Sequence, residues 1–171
     1  MASVDPIPPF PRDIDRDAFG HWLSGFVDGE GCFSLGVYGR KDGRIRMVVG
    51  FQLCLRADDH QCLELAQSFW QCGLIFHDPR KGQEPTNPQT RFQVNRAADL
   101  HAVVAAHFDR YPLRAKKAND FAIWRQGVEL YHSVAQRPRG NGTQSRWRPE
   151  ELEKFARLTE WLRSGRAYRP A

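Results

Sequence analysis

The sequence predicts an α+β domain in which a helix, two strands, a second helix, two shorter strands and further helices follow one another. Apolar residues recur at three- and four-residue spacing in Phe19, Trp22, Leu23, Phe26 and Val27, which marks one face of a helix. Cys32 to Arg40 alternates as a strand does, and Arg44 to Arg56 is rich in Val, Ile and Leu, with Lys41-Asp42-Gly43 between them. That is the pattern of a long hairpin with an Asp-Gly turn. Beyond it the order of one helix and two strands is repeated before the chain turns helical.

Taken in order, residues 1–16 are rich in proline and charge (Pro6, Pro8, Pro9, Pro11) and read as an extended arm. The first helix runs from about Arg16 to Gly29. Gly25 and Gly29 stand four apart beside Ser24, leaving a strip without bulk where another helix backbone can approach. The gain from such packing must exceed roughly 1 kcal/mol per glycine relative to alanine. Gly29 and Gly31 flank Glu30 where helix gives way to strand, which suits a sharp turn that leaves the carboxylate exposed. Asp58 or Asp59 can cap a helix carrying Leu63, Leu65, Ala66, Phe69 and Trp70 that ends near Cys72-Gly73. Strands at Gly73 to Asp78 and Arg91 to Asn95 flank a loop containing Pro79, Gly82, Pro85, Asn87 and Pro88. Helices follow from Ala97 to His107 and from Lys116 to about His132. From Val134 a loop rich in Arg, Gly and Pro precedes an amphipathic helix, Pro149 to Arg163, with Leu152, Phe155, Leu158, Trp161 and Leu162 on one side. Such a helix more often caps a core than binds a ligand.

At 171 residues the chain can form one main core or a core with a small appendage. Lys and Arg number 25 against 20 Asp and Glu, a net charge of +5, and the pI is near 9.3. That balance suits a polyanionic partner but is common in ordinary proteins. Its distribution says more: Arg40, Lys41, Arg44 and Arg46 cluster at the hairpin, and Arg137, Arg139, Arg146 and Arg148 at the late loop. The four cysteines form no CxxC pair, and neither a signal peptide nor a long apolar run is present, so the chain reads as intracellular, reduced and without a membrane partner. Cys62 and Cys72 with His60 and His77 match no standard zinc spacing, and buried cysteines usually only pack.

Read alone, Asp28 and Glu30 are two solvated acids at a turn. Their setting changes that reading. Leu23-Ser24-Gly25-Phe26-Val27-Asp28-Gly29-Glu30-Gly31 resembles the nine-residue motif of the LAGLIDADG homing endonucleases: Leu23, Gly25, Asp28 and Gly31 match outright, and the other five are conservative replacements. Phe108-Asp109-Arg110-Tyr111-Pro112-Leu113, leading to Lys116-Lys117-Ala118-Asn119-Asp120-Phe121, resembles the family's stretch in which a Tyr-Pro-Leu turn opens a helix bearing a lysine directed to the active site. The resemblance covers roughly residues 17–132. It divides the chain into an arm (1–16), an endonuclease domain (17–132), and a basic loop with a C-terminal helix (133–171).

The resemblance implies the αββαββα fold of that family, an antiparallel four-stranded saddle backed by helices, here with a C-terminal helical extension. It implies a site-specific endonuclease that hydrolyses phosphodiester bonds of double-stranded DNA, with Mg²⁺ or another divalent cation such as Mn²⁺, at a long and nearly palindromic target. The motif occurs once, so a homodimer is expected, with Leu23, Ser24, Gly25 and Asp28 at the helix seam. By the same resemblance Glu30 is the metal ligand, helped by the Gly29 carbonyl. A hard cation that takes one or two carboxylates and keeps water and phosphate for the rest suits one such acid per chain. Lys117 or Lys116 stabilises charge on the phosphate; Lys117 fits the family pattern slightly better.

Strand alternation sends Phe33, Leu35 and Val37 toward the helices and Ser34, Gly36, Tyr38 and Arg40 to the other face. Arg44, Arg46, Val48, Gly50 and Gln52 share one parity, and Arg91, Gln93 and Asn95 oppose Phe92 and Val94. Composition alone describes a solvated sheet face, whereas the resemblance makes it the DNA-binding saddle, with side chains of the kinds that read base edges. One departure is Leu55, which stands where family members often carry a glutamine that helps organise the attacking water. Some relatives of this type are non-catalytic, acting as RNA-splicing maturases or transcription regulators; the presence of Glu30 favours catalysis. A purely structural or protein-interaction domain is the third reading, and absence of DNA affinity would mark it.

Overall fold

A computed structural model describes residues 6–39, 45–77, 88–138 and 146–166. The hairpin turn with Arg40 and Arg44, most of the loop before the fourth strand, and Arg139 lie outside the described residues. Helix α1 (Arg16–Glu30) leads into β1 (Gly31–Gly39) and β2 (Ile45–Arg56); a short 3-10 turn precedes α2 (His60–Trp70), and β3 (Leu74–His77) and β4 (Gln89–Val94) complete the repeat. Then come α3 (Ala97–Asp99), a π-helical stretch (Leu100–Ala105), α4 (Ala106–Arg110), α5 (Lys117–Ala135) and α6 (Pro149–Gly165). The four strands form one antiparallel sheet in the order β1-β2-β4-β3. Among the described residues no helix is long and apolar enough to cross a membrane.

The core lies where the expected strand parity meets the helices. Phe33, Phe51, Leu53, Phe92 and Val94 on the sheet pack with Leu23, Val27, Leu63, Phe108 and Trp124, all buried. Burying one such side chain contributes about 1.5–3 kcal/mol. Trp124 keeps its indole N–H satisfied by donating to the Gly50 carbonyl at 2.9 Å, as a buried tryptophan requires. Val37, expected on the core face, is exposed near the end of β1, although its cross-strand partner Met47 is buried.

Local contacts settle the helix caps, the glycines at the motif turn and the place of the arm. Asp15, not a residue of the helix itself, caps α1 by accepting from the Ala18 amide at 2.7 Å. Asp59 precedes α2 but makes no side-chain cap. Neither Gly29 nor Gly31 has positive φ; among the described residues only Gln71 (52°) and Gly73 (86°) do. Gly31 is required for room instead, since a Cβ there would meet Val27 Cγ1 at 2.4 Å. The arm is not detached: Phe10 packs between Phe19 and Phe69, with ring centroids 4.9 and 5.2 Å away, and Gln71 Nε2 donates to the Pro8 carbonyl at 2.8 Å.

α6 packs on α5 and on β1, one of the sheet's two outer strands, so it covers an edge that would otherwise be open to pairing. Phe155 enters the common core. Arg137, counted above among the late basic cluster, grips Glu151 through two nitrogens at 2.8 and 2.5 Å. That grip and the Arg148 amide hold the Glu151 carboxyl far below its usual range, at about 2.

His107 is buried among Phe69, Trp70, Phe108 and Tyr111. Ser24 donates its hydroxyl proton to the Tyr111 carbonyl at 2.6 Å, so its oxygen is left to accept from His107 Nε2, 3.2 Å away. Burial, and then the nearby His21, push the His107 pKa down from 6.5 to about 3. Below pH 6.5 the unfolded chain takes up a proton that the native ring refuses. The native stability is therefore full above that pH and falls as pH drops toward 3, by at most about 1.4 kcal/mol per unit. Denaturant unfolding at pH 7.5 and 5 should show this loss, and His107→Gln, which keeps a donor for Ser24, should flatten it; an unchanged slope would remove His107 as its source.

Candidate active site

The site begins with the way Tyr111 fastens the end of α4 to α1. Its ring lies against Gly20, where a Cβ would meet it at 2.5 Å, and its hydroxyl donates to Asp17 at 2.6 Å. That hydrogen bond, with the charge of Arg110, lowers the Asp17 pKa, and the same bond raises that of Tyr111. Leu113 is buried two residues on. These anchors carry the following loop across the C-terminal end of α1, where the Arg114 and Ala115 amides donate to Asp28 Oδ2 at 2.7 and 3.1 Å.

α1 has no basic residue in its last turn. Lys117, at the start of α5, supplies that charge: its Nζ donates to the carbonyls of Asp28 and Gly29 at 3.0 and 2.7 Å. A cation at a helix C-terminus is stabilised by the unpaired carbonyls and the helix dipole. Lys116 is exposed at the N-terminal boundary of α5 and makes no such contact. Lys117 is the lysine that reaches the motif.

Glu30, the last residue of α1, is exposed and has no hydrogen bond or ion pair among the described residues. Beside it lies a cleft of about 410 Å³ lined by Asp28, Cys32, Lys116, Lys117, Asp120 and Arg166, with Gly31 and Ala115. No group of three or more His, Cys, Asp or Glu able to hold a metal occurs among the described residues. At this helix end Glu30 is the exposed carboxylate, while Asp28 keeps Oδ1 buried without a partner among the described residues. An exposed carboxylate beside a free carbonyl lone pair is the donor chemistry that suits a hard divalent cation, which takes one or two carboxylates and completes its shell with water and phosphate. The Gly29 carbonyl accepts from Lys117 but retains a second lone pair.

The expected seam residues separate by helical phase. Leu23 is fully buried and Ser24 is 3% exposed within this one chain, and Asp28 is engaged with the Arg114 and Ala115 amides. Leu23 and Ser24 therefore do not face a partner helix, because a turn of 3.6 residues puts them with Phe19, Gly20 and Val27 on the inner side. The outer side carries the exposed Trp22 with Gly25 and Gly29, where a Cβ would meet nothing within 4 Å, while Phe26, stacked on Trp22 at 5.1 Å, sits at the flank and packs partly against the core. Gly25 is on the open face; two of its expected companions are not.

On the sheet face away from the helices, Ser34, Gly36 and Tyr38 pair across β1 and β2 with Gly50, Val48 and Arg46. Gln52 pairs with Gln93, which donates to it at 3.2 Å, and Arg91 sits opposite Cys54. Asn95 is exposed just past β4. Arg91 Nε is buried with no partner among the described residues, and the Ser34 hydroxyl donates to the Gly50 carbonyl at 3.1 Å. The structure adds Leu74 and Phe76, each 46% exposed, opposite Gln93 and Arg91 on β3. Sequence reading recognised that strand without assigning its faces. Leu55 has the parity of Leu53 and packs against the core beside Thr90, so its side chain belongs to the helix side of the sheet. Arg166 and Asp120 were not anticipated in the cleft; Arg166 lies 136 positions after Glu30, too far for any local pattern to connect them.

Residues 23–128 match the family model described as LAGLIDADG endonuclease. A "Probable intron-encoded endonuclease 3" of Neurospora crassa is 30% identical over 117 residues, 67% of this chain and 21% of the relative. The "Uncharacterized 50.9 kDa protein in ND4 intron 1" of Podospora anserina is 30% identical over 113 residues, 64% of this chain and 23% of the relative. This chain thus spans less than a quarter of those two fungal proteins. Among solved structures, the I-SmaMI LAGLIDADG homing endonuclease bound to cleaved DNA superposes with a TM-score of 0.70 at 22% identity, covering 94% of this chain and 48% of that one. The LAGLIDADG meganuclease I-AabMI bound to uncleaved DNA gives 0.66 at 25% identity, covering 86% and 46%. With its motif helix, its four-stranded sheet and more than half of its length inside the matched span, the chain belongs to the LAGLIDADG endonuclease family.

Proposed function

We propose that the protein is a homodimeric, site-specific endonuclease of double-stranded DNA, active inside the cell or an organelle and dependent on a divalent cation. The observation that carries this reading is the end of α1: an exposed Glu30, without a partner among the described residues, next to a lysine held at the carbonyls of Asp28 and Gly29. Glu30 of each of two copies, with the Gly29 carbonyl, would hold Mg²⁺ or Mn²⁺, which when bound supplies Lewis-acid activation of water and offsets charge on the phosphate oxygens. Lys117 holds positive charge at the same helix terminus, where it stabilises charge developing on the scissile phosphate. Asp28 keeps the loop before α5 in place so that Lys117 stays there. The sheet face of Ser34, Gly36, Tyr38, Arg46, Gln52, Arg91, Gln93 and Asn95, with Arg40 and Arg44 beyond the described residues, reads the DNA.

The test is cleavage and binding on a library of near-palindromic duplexes, with Mg²⁺ and with chelator. Cation-dependent cutting of both strands supports the proposal. Specific binding without cutting under every cation tried would support a non-catalytic relative instead. On a selected target, Arg91→Ala should cost about 1–3 kcal/mol and relax preference at one position of each half-site, as expected for a base-reading side chain. Arg46→Ala, near the exposed end of the hairpin, should weaken all sequences alike and lower the salt slope by about 1 per chain. An affinity indifferent to salt and to both changes would rule out this face.

A further inference from the structure

α6 lies outside the span matched by the family, yet it ends in the cleft. Its C-terminal boundary residue, Arg166, donates from Nε to Asp120 Oδ2 at 3.0 Å and from Nη2 to the Phe33 carbonyl of β1. The Asp120 carboxylate is 13% exposed and the Arg166 side chain 39%. Asp120 stands in the first turn of α5, three residues after Lys117 and therefore on the same side of the helix. The segment from Asp28 to Phe33 is thus held at both ends. Lys117 holds the carbonyls of Asp28 and Gly29, Arg166 holds that of Phe33, and the Asp120 to Arg166 ion pair joins the two grips through the first turn of α5. Glu30 lies between them.

We propose that Arg166 is a positioning residue: through Asp120 it fixes the first turn of α5 against β1 and so aims Lys117 at the terminus that carries Glu30, which makes the C-terminal helix part of the active site. This rests on the roles of Lys117 and Glu30 proposed above. The charged contact is half shielded from water, and catalytic geometry is lost with small displacements, so the consequence is on rate more than on affinity.

The experiment compares Arg166→Ala and Arg166→Lys, each alone and with Lys117→Ala, in single-turnover cleavage at saturating DNA. Arg166→Ala should slow cutting by about ten- to a hundredfold with DNA affinity nearly unchanged. Arg166→Lys should recover part of the rate, and in the Lys117→Ala background Arg166→Ala should add little, because coupled residues are not additive. A second arm needs no cation, DNA or turnover: acetylation of the folded protein by acetic anhydride, mapped by mass spectrometry, should label Lys117 faster in Arg166→Ala and leave Lys116 unchanged. Should that variant unfold, the same labelling on Arg166→Lys carries the test. Wild-type cutting by Arg166→Ala, equal losses in both backgrounds, or unaltered Lys117 labelling would overturn the inference. A wild-type chain that cuts no DNA would count against the endonuclease reading, and the labelling arm would still decide the role of Arg166.

Discussion

Glu30→Gln should abolish cleavage while leaving folding and specific DNA binding almost unchanged. Glu30 is exposed and unpartnered among the described residues, so an isosteric amide removes charge without disturbing a contact. Loss of one carboxylate from a metal-dependent site forfeits several kcal/mol of charge stabilisation, and about 4 kcal/mol corresponds to roughly a thousandfold in rate. Asp28→Asn serves as the contrast. Asp28 accepts two backbone amides, so that change should lower the melting temperature as well as the rate, whereas Glu30→Gln should leave melting where it was. Single-turnover rates and thermal unfolding on the two variants separate the roles; a Glu30→Gln protein that cuts near the wild-type rate would sink the ligand assignment.

Gly25→Leu should produce a well-folded protein that no longer dimerises and no longer cuts. A Cβ at Gly25 meets nothing within 4 Å in the single chain, and replacing a mid-helix glycine by leucine gains about 0.8 kcal/mol of helix propensity. The isolated protomer therefore keeps or gains stability. In a two-fold pair each helix would carry the same bulky side chain at the seam, and an isologous interface meets it twice. Sedimentation at micromolar concentration, with melting followed in parallel, reads both consequences. A Gly25→Leu dimer that still cuts would show that the partner does not approach along this face of α1.

Much of this was legible in the amino-acid order because it depends on local periodicity. The parity of β1, β2 and β4 is set by alternation, so Phe33, Phe51 and Phe92 went inward and Tyr38, Arg46 and Gln93 outward as expected. Helical phase was only half legible. Apolar spacing marks a core face, but Trp22 is apolar too, and only the position of α1 over the sheet shows that it faces outward while Ser24 faces in. Gly31 was recognised as significant for the wrong reason, since steric room is a property of the Val27 side chain packed beside it and not of its own backbone angles.

What the sequence determined by itself is the family, the order of elements, the polar sheet face and the acid at the end of the motif helix, all of which reside in contiguous residues or strict alternation. Tertiary structure alone decided which lysine reaches that helix end, that Asp28 holds the loop before α5, that Leu55 belongs to the core side, and that Arg166 returns to the cleft. Each of these is a contact between segments far apart in the chain. A donor and an acceptor 86 or 133 positions apart leave no mark in either neighbourhood, because their distance is set by the packing of the helices and sheet between them.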